Sequence, residues 1–228
     1  MNSSNPDAES SLSSRRCTVA PVDPEAFTHF GLFVRRGFLS ADECERLLSE
    51  ATSADSRPAT VRERGANVVD ESYRRSRIAE LSADSVSLVS ERLAALRPAL
   101  EDHFHVQTAG CRAPEVLVYR PGDFFHAHAD SIPGRDEDDQ VVTGRVISTI
   151  VFLNGEAEAP EAGCFTGGTL GFFGLIDDPR MADREFGLTG EPGLLVAVGA
   201  VVALTIPVCR RRAEADVRVF EPALEDAV

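Results

Sequence analysis

At 228 residues, 43% of them hydrophobic and 26% charged, the chain is long enough to bury one substantial core and has the composition of an ordinary soluble globular protein. Its formal net charge of −14, from 37 acidic against 23 basic residues, repels phosphate backbones and anionic membranes, so neither nucleic acid nor membrane is expected as a partner. The Arg cluster at 210–212 is the one local reservation. The five cysteines (Cys17, Cys44, Cys111, Cys164 and Cys209) are scattered and form no CxxC pair, which argues for reduced thiols in a cytoplasmic setting and against a disulfide framework.

Residues 1–24 are polar, Ser-rich and punctuated by Pro, and read as a disordered leader without an apolar run. Residues 25–110 read as a helical support layer. Within it, FGLFVRRGF leads by a short strand into a helix that starts at Ser40, where Glu43 completes a capping box and Leu39 can staple onto Cys44. Residues 59–69 look like strand or loop. Val86, Val89, Leu93, Leu96, Leu100 and Phe104 recur at spacings of three and four, predicting a second amphipathic helix that Pro98 should kink or divide.

From Cys111 onward short apolar runs alternate with Gly, Pro and acidic turns. Strands are expected at 115–119, 124–130, 146–153, 168–173, 194–198, 201–206 and 216–220, with residues 111–222 as the principal domain and 223–228 as a tail. Strands that follow helices, rather than alternating with them, point to a sandwich or double-sheet barrel on a helical layer. The apolar stretch Gly193 to Val208 is broken by Gly199 and is too short to cross a bilayer. GGTLGFFG at 167–174 lacks the Lys and the helix a phosphate loop needs.

Chemistry concentrates in YRPGDFFHAHAD, residues 119–130. Side chains alternate along an extended strand, so His126, His128 and Asp130 would point the same way, and two imidazoles with a carboxylate suit a metal. A lone His-x-Asp is more often a solvated edge or a simple hydrogen bond. The surroundings add weight. Tyr119, Gly122, Phe125, His128 and Asp130, then Arg145 before VISTIVFLN, then Gly167-Gly168-Thr169-Leu170, resemble the iron(II)- and 2-oxoglutarate-dependent oxygenases of the prolyl-4-hydroxylase type. FLSADECERLL and VVDESYRRSR extend that resemblance over roughly residues 30–208.

The resemblance implies an α+β, mainly β fold: a double-stranded β-helix of the jelly-roll or cupin kind with an N-terminal helical layer, the oxygenase domain occupying 111–222. It implies hydroxylation of a protein side chain or small molecule with oxygen and 2-oxoglutarate, giving succinate and carbon dioxide. Fe(II) would be held by His128 and Asp130, 2-oxoglutarate by Tyr119 and by a cation carried over to Arg212, and ascorbate would serve as a further reductant.

One departure from the pattern is serious. The family's second His lies four residues before Pro-Val, and here that slot is Ala203, with no His anywhere downstream of His128. His126 could serve as a third ligand only if the strand bends, since a straight strand separates 126 from 130 by about 13 Å. Cys209 is a further candidate. A catalytically impaired binding module on the same fold is therefore the alternative reading. HAHAD also resembles the HxHxDH box of metallo-β-lactamase-like hydrolases, but Ser131 replaces the last His. The acidic loop 136–139 and the phrase Arg74, Arg75, Arg77 are more simply a solvated loop and surface salt bridges.

Overall fold

A computed structural model describes residues 24–63, 66–130, 145–157, 163–200, 202–206, 217–220 and 223–226, and the statements below concern these. In chain order the strands are β1 (Phe33–Arg35), β2 (Ser56–Pro58), β3 (Val61–Glu63), β4 (Ala66–Val68), β5 (Arg74–Arg75), β6 (Arg77–Ala79), β7 (Thr108–Cys111) and β8 (Val116–Tyr119). They continue with β9 (Phe124–His128), β10 (Arg145–Phe152), β11 (Leu170–Phe173), β12 (Phe186–Leu188), β13 (Leu195–Gly199), β14 (Ala203–Ile206), β15 (Val217–Phe220) and β16 (Ala223–Asp226). Two long helices, α1 (Ala41–Ser53) and α2 (Ala83–Phe104), precede most of them.

The larger sheet runs β1-β13-β10-β15-β8-β6-β2, with β16 beside β10 and β7, and the smaller runs β12-β11-β14-β9-β5. Every pairing between these strands is antiparallel. All seven strands expected after residue 111 are present. The sheets also recruit β1, β2, β5 and β6 from the region read as a helical layer, and β16 from the region read as a tail. Those pieces are two to four residues long. Too short to show a period of two, they were hidden from sequence reading.

The period-two rule explains why the central strands look uniformly apolar. On β10, Ile150 and Phe152 enter the core between the sheets, while Ile147 and Val151 enter a second core beneath the helices. β8 divides likewise, Leu117 and Tyr119 inward and Val116 and Val118 toward the helices, so all four residues are buried. A sheet covered on both faces needs apolar residues on both.

Helix α1 starts at Ser40 with the expected capping box: the Ser40 side chain accepts from the Glu43 N–H, and Glu43 accepts from the Ser40 N–H. That N–H bond, the largest influence, holds the Glu43 carboxyl below its usual range. Cys44, Leu47 and Ala51 bury against the larger sheet, as do Val89, Leu93 and Leu100 of α2. Pro98 does not divide α2, which continues through it as one helix. Packing on the sheet outweighs the one hydrogen bond that proline removes. Gly193, at φ 77°, joins this layer to the sheet by accepting the Phe38 N–H at 2.9 Å, and a Cβ there would meet the Leu39 carbonyl oxygen at 2.2 Å.

Candidate metal centre

β9 carries the histidines, and its shape decides what they do. Phe125 pairs with Ile206 and His128 with Leu204, so three steps along β9 face two along β14. This is a β-bulge, and it shifts the alternation of side chains by one. As a result His128 lies on the same side as Phe125, its ring stacked 3.6 Å from the Phe125 ring at 22°. His126 lies with Phe124 and Tyr73 instead, exposed, at ring distances of 4.8 and 5.9 Å. The expectation that His126, His128 and Asp130 point one way is thereby corrected: His126 leaves the group.

Side chains secure the bulge by capturing carbonyls that the ladder drops. Thr205 Oγ1 donates to Phe125 O at 2.8 Å, His128 Nδ1 to His126 O at 2.9 Å, and Tyr73 Oη to Ala127 O at 3.1 Å. Because a carbonyl only accepts, the His128 proton sits on Nδ1 and leaves a lone pair on Nε2. Burial pushes the His128 pKa below the ordinary imidazole value, against the opposing pull of the Asp130 carboxylate, so the neutral ring prevails.

Asp130 converges on that lone pair, its Oδ1 lying 3.8 Å from His128 Nε2, with the two side chains 17% and 12% exposed. The carboxylate is already engaged. Arg145 Nη1, at the start of β10, meets Oδ1 at 2.7 Å, and the Ser148 hydroxyl donates to Oδ2. Ser148 is buried, one strand position pair before inward-facing Ile150, so this ion pair sits at the rim of the inter-sheet core. Arg145 Nε is buried nearby and has no hydrogen-bond partner among the described residues. In the sequence Arg145 is marked only by its place before the strand VISTIVFLN, and no local pattern pairs it with a residue 15 positions away.

The third position is apolar. Val202, Leu204 and Ile206 pack into the inter-sheet core, so Ala203, between Val202 and Leu204, lies on the outer face. The residue across from His128 is Leu204, not the Ala203 that counting back from Pro207 selects. Neither side chain binds metal. Among the described residues no group of three His, Cys, Asp or Glu could hold a metal ion. His128 and Asp130 thus offer two donors, one of them already neutralised by a guanidinium, and they do not fit the two-His, one-carboxylate set iron requires. The separation of His126 from His128 equally removes support for the metallo-hydrolase reading.

Tyr119 is fully buried in the inter-sheet core. Arg212, Cys209 and the acidic loop 136–139 lie outside the described residues. Arg74 lies over the Phe125 ring at 4.3 Å and Arg75 over Phe124 at 5.5 Å, while Arg77 donates to Ser56 Oγ at 2.8 Å.

No protein-family model and no curated protein matches the sequence. Solved structures do match. A prolyl-4-hydroxylase from Pseudomonas putida superposes with a TM-score of 0.63 at 19% identity, over 90% of this chain and 97% of that one. A prolyl hydroxylase from Trichoplax adhaerens, in complex with a hypoxia-inducible-factor peptide fragment, gives 0.62 at 15% identity over 89% and 86%. The viral collagen prolyl hydroxylase of Paramecium Bursaria Chlorella virus-1, bound to 2-oxoglutarate, gives 0.57 at 16% over 86% and 96%. The fold is therefore the jelly roll of the 2-oxoglutarate- and iron(II)-dependent oxygenases, with helices on its larger sheet.

Proposed function

We propose that the chain is a binding module built on the oxygenase fold, which receives its ligand at the His128–Asp130 rim without iron. One observation carries this reading: the carboxylate that would hold the metal is instead neutralised by Arg145 and Ser148, and the strand position facing His128 is Leu204. A guanidinium beside a carboxylate removes the negative charge that attracts a cation. The buried Nε of Arg145, without a partner among the described residues, calls for an acceptor, which an anionic ligand such as 2-oxoglutarate or a partner's carboxylate would supply. The Trichoplax structure, with its bound peptide, makes a protein segment a reasonable partner class beside small molecules.

A second reading has its own support. The Nε2 lone pair of His128 faces the Asp130 carboxylate at 3.8 Å, the two being retained as a convergent pair. With a third ligand from beyond the described residues, Cys209 being the thiol available, an iron- and 2-oxoglutarate-dependent hydroxylase would result, with Tyr119 and Arg212 toward the cosubstrate. Anaerobic calorimetry with Fe(II), then 2-oxoglutarate, separates the two. Binding of 2-oxoglutarate with no prior heat from iron is expected. Tight iron binding abolished by His128→Ala and Asp130→Ala, with succinate formed on admitting oxygen, overturns the module reading in favour of the hydroxylase.

A further inference from the structure

The two side chains that converge at the rim both present acceptors. His128 Nδ1 donates to the His126 carbonyl at 2.9 Å, which leaves Nε2 with a lone pair. That lone pair meets Asp130 Oδ1 across 3.8 Å, too far for a proton to be shared between them. Arg145 Nη1 reaches Oδ1 at 2.7 Å and the Ser148 hydroxyl is committed to Oδ2. Among the described residues no further donor reaches the carboxylate, and none reaches Nε2. Two acceptors so little exposed are satisfied together only by a group that carries at least two polar hydrogens of its own.

A divalent ion finds too few donors here. A primary ammonium fits better, since its three N–H bonds give one to Nε2, one to Oδ1 and one to water. Alone it would add a second positive charge beside the Arg145 guanidinium, so it has to arrive with an anion attached. Arg145 offers the place for that anion. Its buried Nε has no partner among the described residues and belongs to the same planar fork whose Nη1 holds Asp130. An ammonium next to a carboxylate meets both needs, and it adds no net charge where Arg145 and Asp130 already cancel. A 2-oxo acid supplies the carboxylate, but its keto oxygen only accepts and would face two lone pairs.

We propose that the rim selects an α-amino acid over the corresponding 2-oxo acid, the ammonium bridging His128 Nε2 and Asp130 while Arg145 takes the α-carboxylate. This rests on the binding-module reading above and names its ligand class. Calorimetry of the full chain with a chelator present tests it, using L-glutamate and 2-oxoglutarate, which differ only in the amino and keto groups. Glutamate is expected to bind about tenfold tighter or more, as hydrogen bonds between charged groups warrant. The ratio should fall toward one in His128→Phe, which keeps a ring to stack on Phe125 and has no lone pair. In the unaltered protein the His128 Nε2 nitrogen signal in NMR should move with glutamate and stay with 2-oxoglutarate, a readout that needs no variant to fold. Equal or tighter binding of 2-oxoglutarate overturns the inference and leaves the module reading standing, as does a ratio that survives His128→Phe. Binding of neither ligand overturns the module reading, and this inference with it.

Discussion

Arg145 and Asp130 are 24% and 17% exposed and meet at 2.7 Å at the rim of the barrel. A half-buried carboxylate that loses its cation keeps its charge and its desolvation cost, so Arg145→Gln should lower stability by about 2 kcal/mol in urea denaturation. Asp130→Asn combined with Arg145→Gln should recover much of that loss, because no unpaired charge then remains. His128 makes a second, pH-dependent contribution. Its imidazole resists protonation in the folded state, mainly through burial, whereas in the unfolded chain it titrates near the ordinary value of about 6.5. The stability it confers is therefore complete above that pH and is lost as pH falls through it toward the lower folded value. Replacing it in His128→Phe should flatten the fall of unfolding free energy between neutral and acid pH, by at most about 1.4 kcal/mol per pH unit. Urea titrations of both proteins across that range measure the difference.

At the scale of elements, the bulge in β9 governs the candidate site. It is one residue long and is held by His128 from within the strand and by two side chains remote in sequence, Tyr73 and Thr205, of which Thr205 is the buried one. Thr205→Val keeps the shape but leaves the Phe125 carbonyl without its donor. A cost of about 1–2 kcal/mol is expected, together with a changed His128 imidazole signal in NMR as the stack on Phe125 loosens. Had that signal stayed unmoved, the bulge would not depend on the contact. The same element shows where sequence reading succeeds and fails. The strand at 124–130 and the nearness of His128 to Asp130 follow from local pattern. That His126 turns away does not, because a bulge is set by the register with β14, some 80 residues later.

On the scale of the whole molecule, the strand order of the smaller sheet brings β14 beside β9 and so decides which residue faces His128. If the rim is a facial metal site lacking one donor, Leu204→His should supply it and Ala203→His, on the outer face, should not. Cobalt(II) titration followed by its visible absorption distinguishes them: a tetrahedral or five-coordinate spectrum is expected from Leu204→His alone. A spectrum from Ala203→His instead would mean that β14 is shifted by one residue from the register described.

By itself, the sequence determined the helices, through the Ser40 capping box and the three-four spacing of α2, and the seven principal strands, through short apolar runs set off by Gly, Pro and acidic turns. These signals are local, since capping and periodicity act within a few residues. Tertiary structure alone decided that α2 passes unbroken through Pro98, that two- to four-residue pieces join the sheets, that Arg145 neutralises Asp130, and that Leu204 stands opposite His128. Each of those depends on which distant segments are packed together, and the free energy that selects among such packings is spread over the whole core rather than written in any one stretch of chain.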